Sequence, residues 1–171
     1  MRISTRSPRE TAVAARADLN PDRAIRDDEL LIQRTFDAPV ELVFRIWENR
    51  DHAIRWWGPE EFTATELEMD FRPGGKWRAA MVSKQFGTSR MHGEYREIEK
   101  NKRIVFTFAW EEDGEPGQET LVAITFTAMD GKTRMNFVQA PFRTAENRDS
   151  HVGGWSECFD RLGAYIDKVA A

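Results

Sequence analysis

The spacing of apolar residues predicts a series of short strands in the first four fifths of the chain. Apolar and polar positions alternate through several segments, which is the period of a half-buried strand. The predicted strands cover residues 29–36, 63–71, 76–83, 88–99, 103–110, 119–128 and 132–140. Asp130-Gly131 is the strongest hairpin signal between them, because a two-residue hairpin turn needs positive φ. Consecutive hairpins indicate an antiparallel meander.

Two short helices are predicted between the first and second strands. Asp37-Ala-Pro39 begins the first, which runs to Trp47 and has proline in its first turn, where the missing N–H costs nothing. Asp51 is expected to cap the second, which runs through Arg55. Gly58-Pro59 then ends it.

A long amphipathic helix is predicted at the end of the chain. Its apolar face runs from His151 to Val169 at spacings of three and four residues. Gly153, Gly154 and Gly163 each cost about 1 kcal/mol relative to Ala in a helix interior. The helix is therefore expected to approach another backbone closely or to leave room beneath it. Together these elements predict an α+β fold, in which a curved antiparallel sheet of about seven strands wraps around the C-terminal helix.

The first 28 residues differ from the rest of the chain. They contain six Arg, five acidic residues and no aromatic residue, so they offer little apolar area to bury. We interpret 1–28 as a flexible or additional segment, with an arm that packs on a partner subunit as the alternative. The folded domain is predicted to cover 29–171.

Composition narrows the class of protein. The 171 residues suffice for one domain, and a net charge of -4 argues against a nucleic-acid binder or a protein of anionic membranes. Cys158 is the single cysteine, so no intrachain disulfide is possible, and no apolar run is long enough for a membrane span. A cytoplasmic location is expected. The unusual feature is six Trp and eleven Phe beside only two Tyr.

These rings fall on the faces that the sheet and the long helix would turn towards each other. On one predicted strand, Ile104, Phe106, Phe108 and Trp110 share a face. Such rings either pack against one another as core or line an apolar cavity of the kind that binds small molecules. The residues expected to border this space are Trp56, Trp57, Phe62, Trp77, Phe106, Phe108, Trp110, Phe126, Phe137, His151 and Trp155.

Three groups of motifs, taken in order, resemble a known family. They are Phe36-Asp-Ala-Pro39 with Val43-Phe-Arg-Ile-Trp47, Arg55-Trp-Trp-Gly-Pro59 with Asp70-Phe-Arg-Pro-Gly-Gly75, and His151-Val-Gly-Gly-Trp155 with Phe159-Asp-Arg-Leu162. The chain resembles, over about 29–168, the bacterial proteins similar to the C-terminal domain of the heat-shock-protein-90 ATPase activator. These belong to the START-like superfamily, also called SRPBCC or polyketide-cyclase-like. The resemblance implies a helix-grip fold with a hydrophobic cavity between sheet and helix.

The residues offer little sign of catalytic chemistry. No metal-binding or phosphate-binding motif is present, so neither a metal site nor a cofactor is predicted. Cys158 lies on the apolar face of the helix and is interpreted as buried and inert. His151 is the one candidate general acid or base, although a capping or packing role at the helix N-terminus is the alternative. His92 and Glu94 share a strand face, and they would act as cavity groups only if that face were the concave one; Glu66, Glu68 and Asp70 meet the same test.

Three functional hypotheses follow. The leading one is a protein that binds a small apolar or aromatic ligand in the cavity. The second is a cyclase or hydratase type of enzyme that uses His151 with a strand carboxylate. The third, which only the resemblance implies, is a module that contacts a chaperone; only about 28 residues precede the matching region, which leaves no room for the separate N-terminal domain of the eukaryotic activator. A homodimer remains open.

Overall fold

A computed structural model describes Leu19 and residues 25–171, and it has the predicted α+β architecture. The elements, in chain order, are β1 (Leu30–Phe36), α1 (Val40–Glu48), α2 (Arg50–Ala53), β2 (Thr63–Met69), β3 (Lys76–Ser83), β4 (Gly87–Glu99), β5 (Arg103–Glu112), β6 (Glu115–Pro116), β7 (Thr120–Met129), β8 (Lys132–Ala140) and α3 (Ala145–Ala170). Each predicted strand is present, and the two short helices follow the first strand as expected.

The strands form one antiparallel sheet in the order β1-β8-β7-β5-β4-β3-β2. An eighth short strand, β6, pairs with the end of β5 outside this order. It lies where a turn was expected: the chain reverses at Asp113-Gly114, both at positive φ, and then pairs briefly before it leaves the sheet. The prediction of about seven strands is confirmed, with this short strand added.

The hairpin between β7 and β8 has the predicted turn. Asp130 and Gly131 adopt φ values of 48° and 82°, and the flanking residues Met129 and Lys132 are paired. Both central residues therefore have the positive φ that a type I′ turn requires.

The starts of two helices differ from their predicted positions. The long helix α3 begins at Ala145, where the side chain of the N-cap Thr144 accepts a hydrogen bond from Asn147 N–H. His151 is therefore in the second turn, and the prediction that it opens the helix is wrong. The first turns are polar, so the apolar pattern could not detect them. At α2 the cap is Asn49 rather than Asp51, because the Asn49 side chain accepts two backbone hydrogen bonds.

The core lies between the concave face of the sheet and α3. The rings of Phe137, Trp155 and Phe159 pack at centroid distances of 4.6 to 5.6 Å. At one end of this core, Trp47 from α1 meets Trp56 at 4.7 Å. Burying a large apolar side chain contributes about 1.5–3 kcal/mol, so this ring cluster is a main source of the stability that holds the sheet on the helix.

The convex face of the sheet also carries a small apolar patch. Val105, Ala123, Val138 and Ala140 are each at most 4 % exposed there, and Leu19 packs against them. Most of the segment predicted as flexible or additional, 1–28, lies outside the described residues, and its assignment stays a prediction.

Candidate ligand cavity

A partly open cavity of about 400 Å³ lies between the concave side of the sheet and the first half of α3. Its wall consists of Trp57, Gly58, Pro59, Phe62, Met81, Ser89, Met91, Phe108, Trp110, Ser150, His151, Gly154, Trp155 and Cys158. An apolar cavity of about 150 Å³ already binds benzene, so this one has room for a larger ligand. The wall contains no Asp, Glu, Lys or Arg, and it is therefore suited to an uncharged molecule.

Six of the eleven sequence-predicted residues lie in this wall. They are Trp57, Phe62, Phe108, Trp110, His151 and Trp155. They come from the segment after α2, from β5 and from α3, so three separate parts of the chain meet around one space.

The other five predicted residues lie elsewhere in the core. Trp56 is fully buried against Trp47. Phe126 also packs on Trp47, and on Phe44. Phe137 fills the space beneath Trp155 and Phe159. Trp77 and Phe106 line a separate cavity of about 20 Å³. All five side chains are buried, but neighbouring rings pack against Trp56, Phe126 and Phe137, and only Trp77 and Phe106 border a cavity.

Sequence reasoning missed several wall residues. Met81 and Met91 face inward on adjacent strands, and period-two alternation could have found both. Ser89 and Ser150 gave no signal because small polar residues are usual on surfaces. Gly58 was interpreted only as a helix stop, yet its φ of 108° turns the chain along the cavity rim.

The helix glycines have different surroundings. A Cβ atom on Gly154 would meet only Pro59, at 3.8 Å, and this glycine widens the cavity. A Cβ on Gly153 would meet nothing within 4 Å, whereas one on Gly163 would lie 3.6 Å from Phe36. The expectation that the helix leaves room beneath it therefore applies to Gly154.

His151 uses both ring nitrogens in hydrogen bonds within the protein. Its Nδ1 lies 2.8 Å from the carbonyl oxygen of Asn147, so Nδ1 carries the proton and donates. Its Nε2 then accepts from the indole N–H of Trp110, at 3.0 Å. Burial lowers the pKa of His151, although the Asn147 carbonyl opposes that effect. The imidazole is therefore a neutral acceptor whose only lone pair is occupied.

Arg161 holds the loop that forms one side of the cavity. Its Nη1 donates to the carbonyl oxygens of Gly58, Pro59 and Phe62 at 2.9 to 3.2 Å. The Cys158 sulfur accepts from Gly58 N–H, and burial raises the pKa of this thiol to about 12. Cys158 is buried, as predicted.

A buried polar chain supports Trp155 from behind. The Trp155 indole N–H donates to Gln139 Oε1 at 2.8 Å, and Gln139 Nε2 donates to the Thr120 hydroxyl at 2.9 Å. Thr120 in turn donates to the Phe108 carbonyl. Gln139 is fully buried, so this chain fixes the orientation of a cavity ring.

The strand carboxylates considered for catalysis lie away from the cavity. Glu66 and Glu68 pair with Arg78 on the solvent side of the sheet. His92 Nδ1 lies 3.6 Å from Glu111 Oε1, and both side chains are half-exposed. None of these groups is in the cavity wall, so His151 has no carboxylate partner there. Within residues 25–171 and Leu19, no three His, Cys, Asp or Glu side chains are grouped so as to hold a metal ion.

Comparison with known proteins places this geometry in a family. The model of the family described as activator of Hsp90 ATPase homolog 1-like protein matches residues 37–167. The chain belongs to this family. The START-like, helix-grip resemblance inferred from the motifs is thereby confirmed. No curated protein matches the chain.

Solved structures of bacterial proteins share the fold of this family member. The AHSA1 protein from Silicibacter pomeroyi is 22 % identical with a TM-score of 0.75, over 81 % of this chain and 97 % of that one. A protein from Arthrobacter aurescens is 25 % identical with a TM-score of 0.74, over 86 % and 90 %. A Chromobacterium violaceum protein is 23 % identical with a TM-score of 0.71, over 80 % and 95 %. At these identities the likeness establishes the fold.

In the described part of the chain, no helix has the length and apolar character needed to cross a membrane. The cytoplasmic location, the homodimer and the chaperone contact stay predictions.

Proposed function

We propose that the protein binds a small, uncharged apolar or aromatic molecule in the 400 Å³ cavity. The observation that carries this proposal is the composition of the wall, in which aromatic rings, two Met side chains and a helix glycine surround a space without a charged group. Ligand cavities in proteins have this apolar character, with a few polar groups that set orientation.

The polar atoms of the wall support the choice of an uncharged ligand. Apart from the indole N–H groups of the tryptophans, the polar side chains belong to Ser89, Ser150, His151 and the buried Cys158. His151 is neutral and its ring nitrogens are both engaged, so the cavity offers no countercharge for an anion or a cation. A charged group brought into such a space would lose its hydration without a replacement.

A catalytic role has less support than binding. The proposed acid–base pair needs a strand carboxylate near His151, and no carboxylate lies in the wall. A chaperone contact is supported by the family description alone. Stimulation of chaperone ATP hydrolysis by the purified protein would favour that role.

The test uses two fluorescent probes of similar shape. N-phenyl-1-naphthylamine is uncharged, and 1-anilinonaphthalene-8-sulfonate adds one negative charge. We expect the uncharged probe to brighten on binding and to stabilise the protein by about 2.7 kcal/mol at a hundred times its Kd. The sulfonate is expected to bind at least tenfold more weakly.

Adjacent glycines provide a matched pair of variants. Gly154→Leu places a side chain in the cavity, whereas Gly153→Leu places the same side chain in open space. Both replace a helix glycine and gain similar helix propensity. Loss of probe binding in Gly154→Leu but not in Gly153→Leu would support the cavity as the site. Equal binding by both variants, or no binding by the wild type, would refute the proposal.

A further inference from the structure

Trp57 lies in the wall of the 400 Å³ cavity and also in the wall of the smaller cavity. The 400 Å³ cavity is called the outer cavity, and the one of about 20 Å³ is called the smaller or inner cavity. The smaller cavity is lined by apolar side chains and Tyr95, and several of these residues lie on β2, β3, β4 and β5, so it borders the same concave face of the sheet.

Neighbouring rings hold the Trp57 indole in position between the two spaces. Trp77 lies 5.6 Å from it at an interplanar angle of 61°, and Trp155 lies 5.8 Å away at 88°. Trp57 itself is only 6 % exposed, and its backbone N–H donates to the Ala53 carbonyl at the end of α2. The ring is therefore a packed partition rather than a free side chain at a mouth.

We infer that Trp57 limits the length of the ligand, so that the protein takes compact molecules of two or three rings and excludes extended rod-shaped ones. This inference rests on the proposed function. A rigid rod longer than the outer cavity would either have to pass through the position of the Trp57 indole or leave part of its length in water at the open side of the cavity. Because the walls of both cavities contain this ring, we expect its removal to join them and to lengthen the apolar space along the sheet.

The class of ligand follows from the same geometry. The wall of the outer cavity includes the loop residues Gly58, Pro59 and Phe62 together with Trp110 and His151, and Trp57 is the wall residue that it shares with the smaller cavity. A compact aromatic molecule fills such a space, whereas an extended lipid or polyene does not. Closely packed ring walls discriminate by shape, because they yield less readily than single aliphatic side chains.

The test compares a compact probe with a rod. N-phenyl-1-naphthylamine is the compact uncharged probe, and 1,6-diphenylhexatriene is a rigid uncharged rod that also brightens in apolar surroundings. We expect the wild type to bind the compact probe and to bind the rod at least tenfold more weakly. We expect Trp57→Leu to gain at least tenfold in affinity for the rod.

The adjacent tryptophan supplies the matched control. Trp56 is fully buried and lines neither cavity, so Trp56→Leu removes a ring of the same size without joining them. Circular dichroism and thermal unfolding establish that each variant is folded. If Trp57→Leu does not fold, Trp57→Phe is used, for which a smaller gain of at least threefold is expected.

The outcomes separate the two proposals. If the wild type binds neither probe, both the proposed function and this inference are wrong. If it binds the compact probe but a folded Trp57 variant gains nothing for the rod, the partition is wrong and the proposed function stands. Rod binding by the wild type, or an equal gain in Trp56→Leu, also overturns the inference.

Discussion

Replacing Gln139 by Leu tests whether the buried polar chain behind the cavity stabilises the fold. Gln139 accepts from the Trp155 indole N–H and donates to the Thr120 hydroxyl, and it is fully buried between them. Leu has a similar volume, so the substitution removes two hydrogen bonds with little change in packing.

The expected cost follows from which groups lose their partners. Trp155 is 7 % exposed, and its N–H would be stranded in an apolar region, which costs about 1–3 kcal/mol. Thr120 still donates to the Phe108 carbonyl, so it adds no unsatisfied donor. Burying Leu instead of an amide offsets part of the cost. We expect Gln139→Leu to lower the free energy of unfolding by about 1–2 kcal/mol, or the melting temperature by about 2–8 °C.

The assay is urea unfolding followed by circular dichroism, in a double-mutant cycle with Trp155→Phe. Phe lacks the indole N–H, so Gln139→Leu should cost less in that background, with a coupling energy of at least about 0.5 kcal/mol. A Gln139→Leu variant as stable as the wild type would refute the reasoning. So would strict additivity, because the N–H of Trp155 would then not be the stranded group.

Three further predictions concern groups around the cavity. The free energy of unfolding should fall as the pH drops below about 6.5, because the unfolded chain protonates His151 before the folded one does. The slope of this fall is at most about 1.4 kcal/mol per pH unit, and the partial exposure of the ring reduces it. This slope should be absent in His151→Gln. Arg161→Met should speed dissociation of N-phenyl-1-naphthylamine in stopped-flow, whereas Arg96→Met, which only breaks a surface pair with Glu94, should not. Cys158 should resist dithionitrobenzoate in the native state and react in urea, because a thiol with a pKa of about 12 is about one part in ten thousand thiolate at pH 8.

The sequence supported the fold well because each element follows from a short-range pattern. The inward row Ile104, Phe106 and Phe108 is buried as its alternation predicts, and the Asp130-Gly131 turn has the expected backbone angles. Where local signals were polar, as in the first turns of α3, the predicted boundary was wrong. Periodicity detects an element only where its apolar face continues.

The cavity was harder to predict than the fold. The spacing of apolar residues shows which face of a strand or helix a side chain is on, but it does not show whether that side chain packs against its neighbours or borders a cavity. Trp56 and Trp57 are adjacent in sequence and both are buried, yet only Trp57 borders the outer cavity. Gln139 carried a usable signal, since it is a polar residue in the inward row after Met135 and Phe137. A lone polar residue in such a row predicts a buried partner, here Trp155.

His151 shows why residue type alone could not decide between catalysis and binding. Histidine near an apolar cavity favours acid–base chemistry, but a base needs a free lone pair, and Trp110 occupies the one on Nε2. A ligand could give a proton to Nε2 only after displacing the Trp110 indole N–H, which would then need a new acceptor. A ligand cannot receive a proton from Nε2, because the proton of this tautomer is on Nδ1. A ligand that leaves the Trp110–His151 hydrogen bond intact avoids that loss. The geometry therefore favours molecules held by shape and apolar contact, and it makes any reaction at His151 depend on prior displacement of Trp110.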